Sequence, residues 1–340
     1  MSLLKENPRP TTMGPHKGIT RTVTKPAGQY GTAVALVILF AAFSVINPGS
    51  FMTAGNVITI LNQATVPLIL VTGMTFVVLL GSVDLSLEGT MAAAGISFVL
   101  LSRNSVNGND FQLAALIIAL IIGVLFGLVT GLIHNYLKVP SFILTLGMWY
   151  IGLGTATILY GDGATTLEPS PLVNWFGSTV FGLSNSFWIA VGVFCLALVL
   201  SKWTKFGRYA YAIGDSQEIA KVAGIKVFRY KTLVFVFSGA CAALAGVIGS
   251  VKLGAGVVEV GSGQLFFTLT AVVVGGTLLS GGSGGVARSM FAILLLTVLN
   301  NGLVLSGVDP SIQQALFGCV IVIAVVLTAL RKRDVLRVVK

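Results

Sequence analysis

From residue 30 onward, long apolar runs alternate with short polar or glycine-rich breaks. The runs are continuously apolar, so they predict helices greasy on every face and not strands with one wet face. Ten runs approach the roughly 20 residues a helix needs to cross a bilayer. They lie near 30–46, 57–80, 86–101, 112–137, 141–160, 187–201, 232–251, 266–280, 287–306 and 311–330. The expected fold class is an all-α membrane protein of about ten transmembrane helices. Residues 1–29 are basic and broken by Pro8, Pro10, Pro15 and Pro26, and read as a disordered cytoplasmic tail. That tail is too long for the charged region of a signal peptide. The transmembrane domain is expected over 30–331, with a basic cytoplasmic tail over 332–340.

The ten runs group as one, four, one and four. Spans two to five and seven to ten would enter the membrane from opposite sides, as two inverted four-helix repeats. Their texture is weakly alike. The segment from Phe76 to Gly89 and the segment from Ala271 to Gly285 are both apolar runs broken by glycine. Inverted repeats with broken helices mark transporters whose path lies between the halves. Gly123, Gly127 and Gly131 share one helical face, which lets another helix approach closely. Gly147, Gly152 and Gly154 are read the same way.

Composition removes the soluble alternatives. Apolar residues make up 55% of the chain and charged residues 9%, against about 25% in ordinary soluble domains. The net charge of +10 could suggest nucleic acid, but its placement argues otherwise. Nineteen of the 21 basic residues fall on one expected side, and only Arg103 and Lys252 on the other. This asymmetry places both termini in the cytoplasm. Cys195, Cys241 and Cys319 lie singly inside apolar runs and read as small buried hydrophobes. His16 and His134 are isolated, so no metal or catalytic group can be assembled around them.

Seven of the basic residues lie between Lys202 and Lys231, the one long charged loop within the membrane domain. Asp215 followed by Glu218 fits a capping box, Ile219, Val222 and Ala223 share a face, and Gly224 is a stop. A helix of about two turns is too short to stand alone in water. It needs neighbouring spans or a partner's groove. Phosphate-binding Gly-x-x-x-x-Gly-Lys-Ser/Thr does not occur, so energy from ATP would have to come from another chain. Asp84 and Glu88 sit at the start of span three, where capping of that helix is expected. No ladder of acids, lysines or histidines crosses the spans, which argues against an ion-coupled secondary transporter. No Ser-His, Cys-His or paired-carboxylate arrangement supports an intramembrane enzyme.

In the long loop over 161–186, Trp175 and Phe176 read as an interfacial belt or a docking surface. Polarity within the spans nominates Gln63, Thr145, Trp149, Asn300 and Asn301 for a solute path, with Phe142 and Trp149 able to stack on a sugar face.

Seven segments carry a family resemblance: Gly81-Ser-Val-Asp-Leu-Ser86, Pro140-Ser-Phe-Ile-Leu-Thr-Leu146, Gly207-Arg-Tyr-Ala-Tyr-Ala-Ile-Gly214, Ala220-Lys-Val-Ala-Gly-Ile225, Ser238-Gly-Ala-Cys-Ala-Ala-Leu-Ala-Gly246, Ala271-Val-Val-Val-Gly-Gly-Thr277 and Leu299-Asn-Asn-Gly-Leu303. Together, and over nearly the whole chain after the tail, they resemble the permeases of bacterial ABC importers for monosaccharides, most of all the ribose-type permeases. The resemblance implies a homodimer in the cytoplasmic (inner) membrane, working by alternating access. Its partners would be a cytoplasmic ABC ATPase, which carries the ATP and Mg, and a periplasmic substrate-binding protein. No cofactor in this chain and no nucleic acid is implied. Asp215–Ile225 would be the coupling helix, touching the ATPase through Asp215, Glu218, Ile219, Ala220, Ala223, Gly224 and Ile225. A polyol or a branched-chain amino acid could use the same machinery.

Some residues depart from the ribose-type pattern. Leu153 stands where that pattern has arginine, and Leu265-Phe266-Phe267 where it has Glu-Leu-Asp. Ser82 and Glu88 replace glycines. Loss of the cation at Leu153 and of the acids at Leu265 and Phe267 implies a more apolar outer vestibule lined by Phe266 and Phe267.

Overall fold

The computed structural model describes residues 27–161, 163 and 165–337. Most of the expected N-terminal tail, residues 1–26, and the chain end at 338–340 lie outside the described residues. Fourteen α-helices are described: α1 (Ala27–Ile46), α2 (Ala54–Gln63), α3 (Thr65–Leu79), α4 (Leu87–Leu101), α5 (Leu113–Tyr136), α6 (Ser141–Tyr160), α7 (Pro171–Gly177), α8 (Asn185–Trp203), α9 (Lys205–Asp215), α10 (Gln217–Val222), α11 (Val227–Leu253), α12 (Gln264–Val274), α13 (Val286–Leu305) and α14 (Pro310–Arg337). Five of them, α5, α6, α8, α11 and α13, are long and apolar enough to cross a membrane. A sixth is added if α2 and α3, bent by 40° at their junction, form one span.

The core is a trio of helices. Every residue of α3 is buried, α4 is buried from Leu87 to Val99, and α11 carries the largest share of its buried positions between Thr232 and Ser250. Around this trio, α11 packs on α5, α4 and α3, while α4 packs on α5 and α6. In a second set, α12 packs on α13 and α14, and α3 packs on α12 and α13. The small-residue face of α5 explains its closeness to α11. A Cβ at Gly123 would lie 2.3 Å from Gly239 O, and one at Gly127 2.2 Å from Phe235 O. Gly152 of α6 likewise meets the backbone of Gly89, whereas Gly147 and Gly154 face open space.

Span three lies where expected, as α4, but span eight is α12, which ends at Val274 and not near 280; at 15 and 11 residues both are short of a bilayer crossing. Each is preceded by a break, over 80–86 before α4 and over 254–263 before α12. A short 3-10 turn, Val258–Gly261, lies in the second break. The first break is largely buried, whereas Gly254, Glu259, Ser262 and Gly263 of the second are exposed.

Small strands tie the loops at one end. β1 (Thr165–Thr166) pairs antiparallel with β4 (Ala255–Gly256), and β2 (Thr179–Val180) with β3 (Leu183–Ser184). Arg103 and Glu168 form an ion pair of 3.0 Å beside β1. Phe176 is no interfacial residue. It is fully buried, edge-on to Phe98 at 6.5 Å, while Trp175 is exposed. Cys241 is buried as expected, but Cys195 and Cys319 lie on the outer surface.

Candidate functional site

Two regions carry the features of a working site. At the end bearing α9 and α10, three glycine-containing breaks converge. Gly282 N donates to Leu79 O at 2.9 Å, so the loop after α12 is hydrogen-bonded to the end of α3. Gly214, near the end of α9, fills the remaining corner. A Cβ there would sit 1.8 Å from Leu79 O and 2.6 Å from Gly282 N. Gly81, Gly281 and Gly282 hold positive φ of 75°, 84° and 73°, which side chains resist. The similar glycine breaks at the ends of Phe76–Gly89 and Ala271–Gly285 are thus neighbours in space.

The loop from Lys202 to Lys231 holds one more helix than expected. In α9, Phe206, Ala210 and Ile213 recur at helical spacing. Phe206 sits between Phe76 and Phe237, at 5.1 Å and 5.9 Å between ring centroids. Because α9 runs through Asp215, that residue cannot be an N-cap. The cap of α10 is Ser216, whose extended backbone lets its hydroxyl accept from Ile219 N at 3.3 Å. The N-cap thus lies one residue later than expected, and the expected Asp215–Glu218 capping box does not form, because Ile219 at its third position has no side-chain acceptor. The stop at Gly224 is present. Its φ is 78°, and Ile225 N reaches back to Ala220 O at 3.0 Å. Ala220 is buried, while Ile219 and Val222 are 71% and 90% exposed, so α10 presents apolar side chains to whatever lies beyond.

The two acids near the α3–α4 break have separate duties. Asp84 does not cap α4 as expected but closes the turn before it, taking Ser86 N at 3.0 Å and Ser86 Oγ at 2.5 Å, and also takes Ser238 Oγ of α11 at 2.7 Å. Glu88 caps a different helix from its own. Its Oε1 accepts from Leu265 N at 2.9 Å, at the start of α12. The N-termini of the two short helices therefore meet, with Gly261 packed against the Glu88 backbone.

At the opposite end lies a cavity of about 680 Å³. The α2–α3 kink contributes Thr59, Asn62 and Gln63, and the end of α11 contributes Lys252. Ser262, Gln264 and Phe267 enter from the start of α12, Thr297 and Asn300 from α13, and Phe317 from α14. Among the described residues, no acidic side chain lines it. Lys252 Nζ donates to the Asn62 carbonyl at the kink, and Asn62 Oδ1 accepts from Ser184 N and Oγ at 3.1 and 2.9 Å. Gln264 Oε1 is buried without a protein partner. Amides, hydroxyls and one amine beside two phenylalanines can take a hydroxylated solute with an apolar face.

Of the residues nominated for a path, the cavity gathers Gln63, Phe267 and Asn300. Phe266 points away and is 56% exposed, since adjacent helical residues face about 100° apart. Phe142 is exposed on α6, Thr145 is buried and donates to Ser141 O, and Trp149 leaves its Nε1 buried and unpartnered. Asn301 is buried with Oδ1 unpartnered. None of these five lines the cavity. Leu153 packs with Ala92, Ile96 and Ala156, in a different cluster from Phe267, which meets Phe317 edge-on at 5.5 Å. The cavity residues passed over in the sequence include Thr59, Asn62, Lys252, Ser262, Gln264, Thr297 and Phe317. Lys252 had a signal, being one of only two basic residues on its expected side.

Comparison with known proteins gives one consistent family. Residues 56–325 match the family described as "Branched-chain amino acid transport system / permease component". The ribose import permease protein RbsC of Escherichia coli (strain K12) is 34% identical over 245 residues, covering 71% of this chain and 74% of that protein. The ribose import permease protein RbsC of Bacillus subtilis (strain 168) is 36% identical over 246 residues, covering 72% and 74%. The D-allose transport system permease protein AlsC of Escherichia coli (strain K12) is 30% identical over 245 residues, covering 72% and 74%.

Proposed function

The chain belongs to the branched-chain amino acid transport system permease family, and from that premise we propose that it is the membrane subunit of an ABC importer for a monosaccharide. The observation that carries the substrate class is the 680 Å³ cavity, where amides, hydroxyls and the Lys252 amine share the wall with Phe267, Phe317 and the aliphatic Val66, Pro67, Leu253 and Val260. Hydrogen-bonding side chains beside a phenyl face suit a sugar ring better than a branched aliphatic side chain. The relatives named for ribose and allose favour the same class.

In this reading the chain crosses the cytoplasmic membrane ten times, with both termini inside. α4 and α12 count as spans that begin within the protein interior. The packing supports two inverted repeats, α2–α6 and α11–α14, because exchanging α3 with α11, α4 with α12 and α5 with α13 reproduces the neighbour pattern. The breaks over 80–86 and 254–263 are then the true counterparts. A cytoplasmic ATPase, which holds ATP and Mg, grips α10 through Ile219 and Val222, with Asp215, Glu218, Ala223, Gly224 and Ile225 around them. A periplasmic binding protein delivers the sugar to the cavity end. A second copy packs against α6, where Gly147 and Gly154 leave the backbone open. Phe142 and Trp149 lie on another face of α6 from these glycines.

ATP draws the ATPases together, moves α9 and α10, and the glycine junction passes the motion to the ends of α3 and α12. The cavity opens outward to receive the sugar, and hydrolysis returns it inward. Weak contacts suffice, because affinity resides in the binding protein. The test is uptake of labelled ribose, allose and fructose into proteoliposomes holding this permease, its ATPase and its binding protein. ATP-dependent uptake of at least one is expected. Uptake driven by an ion gradient without ATP would contradict the reading.

A further inference from the structure

A second cavity, of about 410 Å³, lies beside α10, between the end of α5, the turn to α6 and the start of α11. It is lined by three lysines: Lys138 in the turn, Lys221 on α10 and Lys231 on α11. Asn135 and Gln217 add amides. His134 completes it. Its Nδ1 lies 2.7 Å from Val139 O, while its Nε2 is buried and has no partner in the protein. Among the described residues no carboxylate lines this space. The ion pair Arg103–Glu168 belongs to the opposite end of the molecule.

Three ammonium groups around one cavity repel one another, and their shared space favours an anion that can bond to several of them. The elements they sit on differ, so the anion would act as a tie. α10 has only Ala220 buried and is six residues long, hence weakly held by its own packing. We propose that this cavity binds a phosphate-bearing anion that fixes α10 to the ends of α5 and α11. The chemistry fits the headgroup of an anionic phospholipid and a soluble phosphate ester equally. The site rests on the fold alone and stands whether or not the solute is a sugar.

The test is the melting temperature of the full chain in nanodiscs, titrated with inorganic phosphate in phosphatidylcholine and, separately, with rising phosphatidylglycerol. In the native protein, saturable stabilisation by phosphate in phosphatidylcholine identifies a soluble source. Stabilisation by phosphatidylglycerol alone identifies a lipid. The triple change Lys138→Gln, Lys221→Gln, Lys231→Gln is expected to weaken the response about tenfold or more, and the same three positions as Arg to retain it. Should the triple variant fail to fold, the exposed single changes Lys138→Gln and Lys221→Gln serve in its place. An unchanged response in the Gln variants, or none in the native protein in either setting, overturns the proposal.

Discussion

The two ends of this permease are built on opposite principles. The end with α9 and α10 is closed by backbone on backbone: Gly214, Gly281 and Gly282 leave no room for a methyl group. The other end is an open cavity of about 680 Å³ walled by amides, hydroxyls, one amine, two phenyl rings and a few aliphatic side chains. Dense packing transmits displacement because it cannot yield, and a loose polar space releases what it holds. A machine that moves a solute it must not retain needs both.

The comparison is broken most severely at the closed end. Gly214→Val places side-chain atoms where Leu79 O and Gly282 N already lie, so a loss of about 3 kcal/mol or more is expected, seen as a collapse of the melting temperature and of uptake. Gly192→Ala, in open space on α8, should cost no stability. Equal effects at the two glycines would mean the junction is not tight. Asp84→Ala comes next. It strands Ser86 N, Ser86 Oγ and Ser238 Oγ in the interior, at about 2–3 kcal/mol, measurable by the same melting curves. Changing both Ile219 and Val222 to Asp should leave melting within about 0.5 kcal/mol, because both are exposed, yet abolish capture of the ATPase. At the open end the effects shrink. Gln63→Ala or Asn300→Ala should lower the rate of uptake by about tenfold at most, with unchanged melting, since each removes one hydrogen-bonding group from a weak site.

The same contrast explains what could be read from the sequence. Glycines that permit helix contact are visible by spacing, so the α5 face at Gly123, Gly127 and Gly131 was legible, as was the stop at Gly224. Their partners were not, because closeness of Gly214 to Gly282 is a tertiary fact with no local pattern. The cap of α10 went to Ser216 and not Asp215 because α9 extends one residue further than a local motif can reveal. Glu88 was legible as a cap but not as the cap of α12, which lies 177 residues away in the chain. Of the neighbouring Phe266 and Phe267, only one can face the cavity, and composition does not say which. The end of α12 at Val274 was misplaced because Gly275 and Gly276 were counted inside the span, whereas Gly276 takes a positive φ of 78° that a helix cannot continue through.

The most direct test of this division of labour is a distance across the open end. Spin labels at Thr59→Cys on α2 and Leu253→Cys on α11, two residues that line the cavity, would be introduced after replacing Cys195, Cys241 and Cys319. The reconstituted transporter would be measured with and without ATP under conditions that prevent hydrolysis. Transmission through the glycine junction predicts a wider mouth with ATP bound. A distance that stays the same or narrows would contradict it.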